Sequence, residues 1–108
     1  NFDYVKSVMK AAKLIDSDLF RPPYGRIKKA QIKRIKERFR IVMWDVLSED
    51  YNQTLSPTKC IDIVNSQVKK GSIIVFHDSR KAAKNLKVTL PAVLDLFSQK
   101  GYKFLPIT

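Results

Sequence analysis

The chain contains few of the residues from which disulfides and metal sites are built. Its 108 residues include one cysteine, Cys60, and one histidine, His77. A single cysteine excludes an intrachain disulfide framework and a thiolate zinc cluster, and we expect Cys60 to be a buried hydrophobe in a helix. A catalytic zinc typically takes three protein ligands, which here would need carboxylates, as in a set of Asp50, His77 and Asp78. We expect no metal site in this chain alone.

Long apolar runs are also missing. No run approaches the roughly 20 residues that span a bilayer, so a transmembrane segment is excluded, and the first residues lack the pattern of a signal peptide. Hydrophobic residues nevertheless make up 44% of the chain. This composition and length predict one globular domain at most, and they leave the cell compartment unassigned.

Acidic residues are scarce, with 10 Asp and Glu against 21 Lys and Arg and a formal net charge of +11. Such an excess suggests a polyanionic partner. In the most basic stretch, however, Ile32, Ile35 and Phe39 recur at helical spacing, as on a helix that packs one stripe against a sheet. No aromatic stacking platform or nucleic-acid motif accompanies the charge, so we favour a solvated outer face over a nucleic-acid surface. A basic, non-catalytic module that binds anionic glycan or nucleic acid is the alternative.

Apolar periodicity and helix-capping signals predict helices that alternate with extended segments. The predicted helices span about 3–16, 28–39, 57–70 and 90–100, with Ser56 as a cap, Pro91 confined to a first turn, and Gly71 and Gly101 as stops. The predicted strands are a short segment before Gly25, then 41–47, 72–76 and 102–106.

This alternation predicts an α/β fold with about four parallel strands joined by right-handed crossovers, in the form of a partial (β/α) barrel. Four strands would leave exposed sheet edges. Two copies of the chain could cover these edges, so we expect association into a homo-oligomer.

Polar side chains follow two of the predicted strands. His77 comes directly after strand 72–76, and Ser48, Glu49, Asp50 and Tyr51 come directly after strand 41–47. Chemistry in α/β folds concentrates at the carboxyl ends of parallel strands, so these residues should meet there. A histidine held by a carboxylate can donate a proton near neutral pH.

Three motifs taken together resemble the polysaccharide deacetylase (NodB-homology) family. They are Arg-Pro-Pro-Tyr-Gly at 21–25, Trp-Asp-Val-Leu-Ser-Glu-Asp-Tyr at 44–51 and Ile-Val-Phe-His-Asp at 74–78. The resemblance covers essentially the whole chain, as the carboxy-terminal portion of the catalytic domain. It implies a distorted (β/α) barrel, removal of N- or O-acetyl groups from chitin-like or peptidoglycan-type sugars, and a divalent metal, usually zinc. A bacterial cell envelope is the location it suggests.

The resemblance also implies roles for single residues. His77 resembles the general acid and Asp50 the aspartate that partners it, while Arg21 resembles the arginine that orients a catalytic-base aspartate. The backbone N–H of Tyr24 resembles an oxyanion donor. Tyr51 stands where the family often has a tryptophan that lines the groove, and Val75 occupies the position of a leucine in the acetyl-methyl pocket.

The chain departs from the family pattern in ways that matter for activity. The family's first two motifs, which provide the base and the metal ligands, have no counterpart in residues 1–108, and Leu47 and Glu49 replace a carboxylate and a commonly basic residue. The resemblance therefore implies a fragment of a metal-dependent carbohydrate deacetylase, inactive alone, whose partners are an acetylated polysaccharide and a missing amino-terminal half of the domain.

Overall fold

The computed structural model describes residues 2–107 and shows an α/β fold with short parallel strands. The chain divides into two compact units, the first ending at Met43 and the second beginning at Trp44. Each unit contains one pair of parallel strands with helices around it. Within the described residues, no helix combines the length and the apolar character needed to cross a membrane.

The first unit joins two helices to a two-stranded parallel sheet. In chain order it contains α1 (Phe2–Ala12), β1 (Leu19–Phe20), a 3₁₀ turn (Pro23–Gly25), α2 (Lys29–Ile35) and β2 (Arg40–Ile41). Leu19 pairs with Arg40 and Phe20 with Ile41. Phe20 packs its ring against that of Tyr4 on α1 and that of Phe39, which follows α2.

The second unit has the same plan and a larger core. It contains β3 (Val46–Leu47), α3 (Pro57–Gln67), β4 (Ile74–Val75) and α4 (Ala83–Gln99). Val46 pairs with Ile74 and Leu47 with Val75 in parallel register. The core consists of four buried side chains, which are Val46, Val64, Val93 and Phe97. As predicted, Ser56 caps α3, and its hydroxyl accepts a hydrogen bond from the Lys59 amide at 3.1 Å.

The predicted strand 41–47 is wrong as one element, because the chain changes partner within it. Ile41 belongs to the sheet with β1, whereas Val46 belongs to the sheet with β4. Helix α2 also ends at Ile35 rather than Phe39. Residues 36–38 form turns that bury Phe39 and let the Arg40 amide bond to the Asp18 carbonyl at 2.8 Å.

Two predictions at the carboxy-terminal end of the chain are also wrong. Helix α4 begins at Ala83 rather than Leu90, so Pro91 lies inside the helix. An interior proline removes one backbone hydrogen bond, at a cost of about 3 kcal/mol. Burial of Val93 and Phe97 on the opposite face outweighs this cost. The predicted strand 102–106 is absent, because no described segment pairs with it.

Candidate active site

The register of β3 and β4 is fixed where their pairing begins. The Asp45 carboxylate accepts hydrogen bonds from the Ile73 amide at 2.6 Å and the Ser72 hydroxyl at 2.9 Å. These two bonds lower the pKa of Asp45, the backbone bond contributing most. We call the hydrogen bonds of Asp45 with Ser72 and Ile73 the clasp. The clasp aligns the strands so that the residues after Leu47 and those after Val75 leave the sheet side by side.

Asp50 and His77 meet at those strand ends, as predicted. The two oxygens of the Asp50 carboxylate both contact His77: Oδ2 accepts from the backbone N–H at 2.7 Å, and Oδ1 lies 2.8 Å from ring Nδ1. An ionised carboxylate only accepts hydrogen bonds, so Nδ1 carries the proton in this pair. The other ring nitrogen, Nε2, is then the one left for chemistry.

Burial separates the tasks of the two residues. The Asp50 side chain is 0% exposed, whereas the His77 side chain is 39% exposed. A buried carboxylate needs its hydrogen-bonding capacity filled, and His77 provides two partners. The Asp50 amide in turn lies 3.3 Å from the Ser48 hydroxyl, itself fully buried. The carboxylate is thus a fixed element behind a histidine that solvent or a ligand can reach.

Two further predicted site residues border this pair. The Tyr51 ring stands edge-on to the His77 ring, with centroids 5.1 Å apart and an interplanar angle of 81°. Val75 is half-buried on β4, two residues before His77. Lys81 places its ammonium 6.0 Å from the centre of the Tyr51 ring. The second unit therefore brings together Asp50, Tyr51, Val75 and His77.

Arg21 and Tyr24 belong to the first unit. Arg21 Nε donates to the Val42 carbonyl at 3.4 Å, next to β2. Tyr24 lies in the 3₁₀ turn after the buried Pro22, with an exposed side chain and a positive φ of 56°. Gly25 follows with φ 68°, as expected of the residue that permits the turn.

Both segments that carry predicted site residues contain a non-glycine residue with a left-handed backbone conformation. Tyr24 and Glu49 are the two non-glycine residues with positive φ in residues 2–107, and Glu49 (φ 59°) directly precedes Asp50. Such conformations cost about 1–3 kcal/mol and persist where surrounding contacts enforce them. The strain therefore lies next to the residues for which the sequence implies chemistry.

The sequence reasoning missed Asn85 as a site residue and placed it in a loop. Asn85 is buried on α4, and its carboxamide nitrogen bonds to the carbonyls of Asp50, Asn52 and Leu55. The signal was present, because Asn85, Thr89, Val93 and Phe97 follow one another at four-residue spacing. This spacing was overlooked because Pro91 was interpreted as part of the first turn of the helix.

The metal that the family resemblance implies does not fit the residues of this chain. Within residues 2–107, no three or more His, Cys, Asp and Glu side chains form a group that could hold a metal ion. The conceivable set of Asp50, His77 and Asp78 is therefore wrong. Both Asp50 oxygens are turned toward His77, so the pair is arranged to orient a ring rather than to ligate an ion.

Cys60 is a buried hydrophobe, as predicted. It is fully buried on α3, and burial raises the pKa of its thiol, with smaller contributions from the nearby Asp50 and Glu49 charges. A thiol held in its neutral form is a poor nucleophile. Cys60 is therefore not a candidate nucleophile of this site.

Comparison with known proteins gives a consistent result. No protein-family model matches the sequence. A bifunctional xylanase/deacetylase of Pseudobutyrivibrio xylanivorans is 24% identical over 106 residues, which are 98% of this chain and 17% of that protein.

Solved structures share the fold. The Bc1960 peptidoglycan N-acetylglucosamine deacetylase has a TM-score of 0.82 at 24% identity, over 97% of this chain and 53% of that one. The family 4 carbohydrate esterase from Streptomyces lividans, solved in complex with acetate, has a TM-score of 0.70 at 29% identity, over 94% of this chain and 51% of that one.

These comparisons confirm the resemblance to polysaccharide deacetylases. The neighbours are CE4 family proteins, among them peptidoglycan deacetylases and a pseudoenzyme of Bacillus anthracis, and the chain matches the carboxy-terminal part of their domain. It spans about half the length of these two solved structures and a smaller share of the curated relative.

Proposed function

We propose that this chain, which has the fold of the carboxy-terminal part of a CE4 deacetylase domain, is the proton-donating portion of a carbohydrate deacetylase. The reaction is hydrolysis of N- or O-acetyl groups on a polysaccharide. Residues 1–108 form one portion of that domain, and their strands continue into a (β/α) barrel with the remainder. The names of the related proteins and the fold support this proposal.

The observation that carries the proposal is the pairing of a buried carboxylate with a half-exposed histidine. Water adds to the acetyl carbon, and the tetrahedral intermediate then collapses with cleavage of the bond to the sugar nitrogen or oxygen. The leaving atom must take up a proton as this bond breaks. His77 Nε2 donates that proton, while Asp50 holds the ring and stabilises its charged form.

The family resemblance suggests a role for each of the other predicted residues. The backbone N–H of Tyr24 donates to the developing oxyanion, as backbone amides do in other acyl transfers. Arg21 holds the base carboxylate through its planar guanidinium. Val75 contacts the acetyl methyl group, and Tyr51 lines the groove for the sugar. The positive φ of Tyr24 supports a specialised role for this turn.

The catalytic base and the divalent metal are supplied from sequence preceding Asn1. The contribution that we propose for this chain is the acid side of the reaction, carried by the Asp50–His77 pair. On this proposal the 108-residue chain alone releases no acetate.

The test is acetate release from acetylated chito-oligosaccharides, with zinc or cobalt added. The 108-residue chain should give no turnover, whereas the same chain joined to the sequence encoded immediately before Asn1 should release acetate. In that complete domain, His77→Ala should reduce kcat by about 10²–10⁴-fold, the usual contribution of general acid–base catalysis. Asp62→Asn, on the exposed face of α3, is the matched control and should leave kcat unchanged.

Two results would contradict the proposal. Turnover by the 108-residue chain would show that its site is complete. A sequence before Asn1 that lacks an Asp-Asp motif and paired histidines would also contradict it, because the complete domain would then lack the base and the metal ligands.

A further inference from the structure

Asn85 is a polar residue in an otherwise structural position. It lies near the start of α4, is 2% exposed, and begins the buried stripe that continues through Thr89, Val93 and Phe97. A buried carboxamide is costly unless its hydrogen bonds are made, so its partners indicate what it does there.

The partners of Asn85 all lie in one short segment. The carboxamide nitrogen donates to the carbonyls of Asp50 at 3.2 Å, Asn52 at 3.1 Å and Leu55 at 3.2 Å. Two N–H groups thus serve three carbonyls. The amide oxygen is buried and has no hydrogen-bond partner among residues 2–107. If the carboxamide group were flipped, its oxygen would face three carbonyl oxygens, none of which can donate a hydrogen bond. The three carbonyls therefore accept only the observed orientation, in which the amide oxygen stays unsatisfied.

This contact completes the restraint of Asp50. The backbone N–H of Asp50 donates to the Ser48 hydroxyl, its carboxylate accepts from His77, and its backbone carbonyl accepts from Asn85. Glu49, directly before Asp50, has φ 59°, a conformation that relaxes unless the flanking chain is held. Asn85 holds that chain from a rigid helix, 30 to 35 residues away in sequence.

We propose that Asn85 is a positioning residue for the Asp50–His77 pair. The assignment rests on the proposed function for its catalytic meaning. Asn85 fixes the backbone of the segment from Asp50 to Leu55, and this in turn fixes the Asp50 carboxylate that selects the protonated nitrogen of the His77 ring. A hydrogen bond to the backbone that carries a reacting group can orient this group without touching the substrate.

The chain allows a direct test, because His77 is its only histidine. With ¹⁵N-labelled histidine, the ring nitrogen shifts of the 108-residue chain report the tautomer of His77 without ambiguity. In the unmodified chain the Nδ1–H form should dominate the neutral ring. In Asn85→Leu, of similar size but without donors, we expect a mixture of both tautomers. Thr89→Val is the matched control: Thr89 is also buried on α4, and its hydroxyl bonds to the Pro57 carbonyl, outside the segment that Asn85 holds.

A second measurement needs no substitution. The Asn85 carboxamide protons should exchange slowly with solvent, whereas those of the exposed Asn65 should exchange fast. Fast exchange at Asn85 would overturn the proposal even if Asn85→Leu does not fold. An unchanged tautomer in a folded Asn85→Leu chain would overturn it as well, and so would an equal change in Thr89→Val.

Activity of the complete domain separates this inference from the proposed function. Asn85→Leu should lower kcat by up to about 100-fold, as small displacements of catalytic groups do, with KM unchanged. If His77→Ala abolishes acetate release but Asn85→Leu leaves the tautomer intact, the function stands and the role of Asn85 is wrong. If Asn85→Leu alters the tautomer but the complete domain releases no acetate, the positioning role stands and the function is wrong.

Discussion

Asp50 holds His77 at two points, the backbone N–H at 2.7 Å and ring Nδ1 at 2.8 Å. The first contact fixes where the residue leaves β4, and the second fixes how its ring is turned. A carboxylate that did only one of these would leave either the position or the tautomer of the imidazole undetermined. Both oxygens of one buried group therefore serve a single partner, which is a strong constraint on what the partner does.

Asp50→Asn separates the charge of this residue from its shape. The side-chain oxygen of asparagine can keep the bond to the His77 amide, but its NH₂ group then faces Nδ1, which must accept instead of donate. The ring proton moves to Nε2. We expect the ¹⁵N shifts of His77 to report this change, and kcat of the complete domain to fall by at least about 10²-fold. Asp62→Asn should change neither, and retention of the Nδ1–H form in Asp50→Asn would contradict the assigned geometry.

Asp45→Asn tests the clasp between β3 and β4. The pKa of Asp45 is lowered in the folded chain by its bonds to Ile73 and Ser72. The clasp therefore stabilises the fold above the unfolded pKa of Asp, about 3.9, and this stabilisation is lost as pH falls through the lower folded value. The melting temperature of Asp45→Asn should lie below that of the unmodified chain at pH 6, and the two should converge below about pH 4. A difference that stays constant down to pH 2 would contradict this linkage.

The sequence was informative where one residue type at one position determines a feature. His77 and Asp50 could be placed together because both follow apolar runs that end in polar residues, and parallel strands bring such ends to one edge. The cap at Ser56 was predictable for the same reason, since only a few side chains can accept from the first turn of a helix.

The sequence was uninformative where the choice depends on a distant partner. The run from Ile41 to Leu47 is apolar apart from Asp45, and nothing local shows that its two ends pair with different strands. Residues 102–106 have the composition of a strand but no described neighbour to pair with. Asn85 was missed because Pro91 suggested a helix start, although tertiary burial carries α4 through the proline.

Pro91→Ala tests how α4 tolerates its interior proline. Alanine restores a backbone N–H that can bond within the helix, and Pro91 is exposed, so no packing is lost. Proline costs about 3 kcal/mol relative to alanine inside a helix, while alanine loosens the unfolded chain by about 0.4–1 kcal/mol. We expect a net stabilisation of about 2 kcal/mol in urea unfolding. Lys87→Ala, also exposed on α4, should stay within about 0.5 kcal/mol. Destabilisation by Pro91→Ala would show that the helix is not continuous there.

Phe97→Ala tests the core of the second unit. Phe97 is 2% exposed, and its ring packs edge-on against Tyr102 at 5.3 Å. Truncation leaves a cavity among buried valines, so urea unfolding should show a loss of about 3–5 kcal/mol. Phe104→Ala is the matched control, because Phe104 is 49% exposed, and its loss should stay below about 1 kcal/mol. Equal losses in the two variants would mean that residues 104–107 are packed as firmly as the core.

The basic residues around α2 distinguish the proposed enzyme from a polyanion-binding module. Lys28, Lys29, Lys33 and Lys36 are all exposed, while Ile35 on the same helix is buried. This distribution is that of a solvated outer face. We therefore expect duplex DNA binding to stay in the non-specific range, with Kd about 10⁻⁴–10⁻⁶ M at physiological salt.

Neutralising those four lysines to glutamine should weaken DNA binding no more than neutralising four others, and acetate release by the complete domain should stay within about twofold. The matched set, exposed in the second unit, is Lys69, Lys70, Lys100 and Lys103. Each released counterion adds about −0.9 to the slope of log K against log salt, so equal charge removal should flatten both slopes equally. Steep salt-dependent binding that disappears only when the four lysines around α2 are neutralised would favour the binding module. A diffuse excess of positive charge binds DNA through any face of the protein, whereas a binding site uses one particular face.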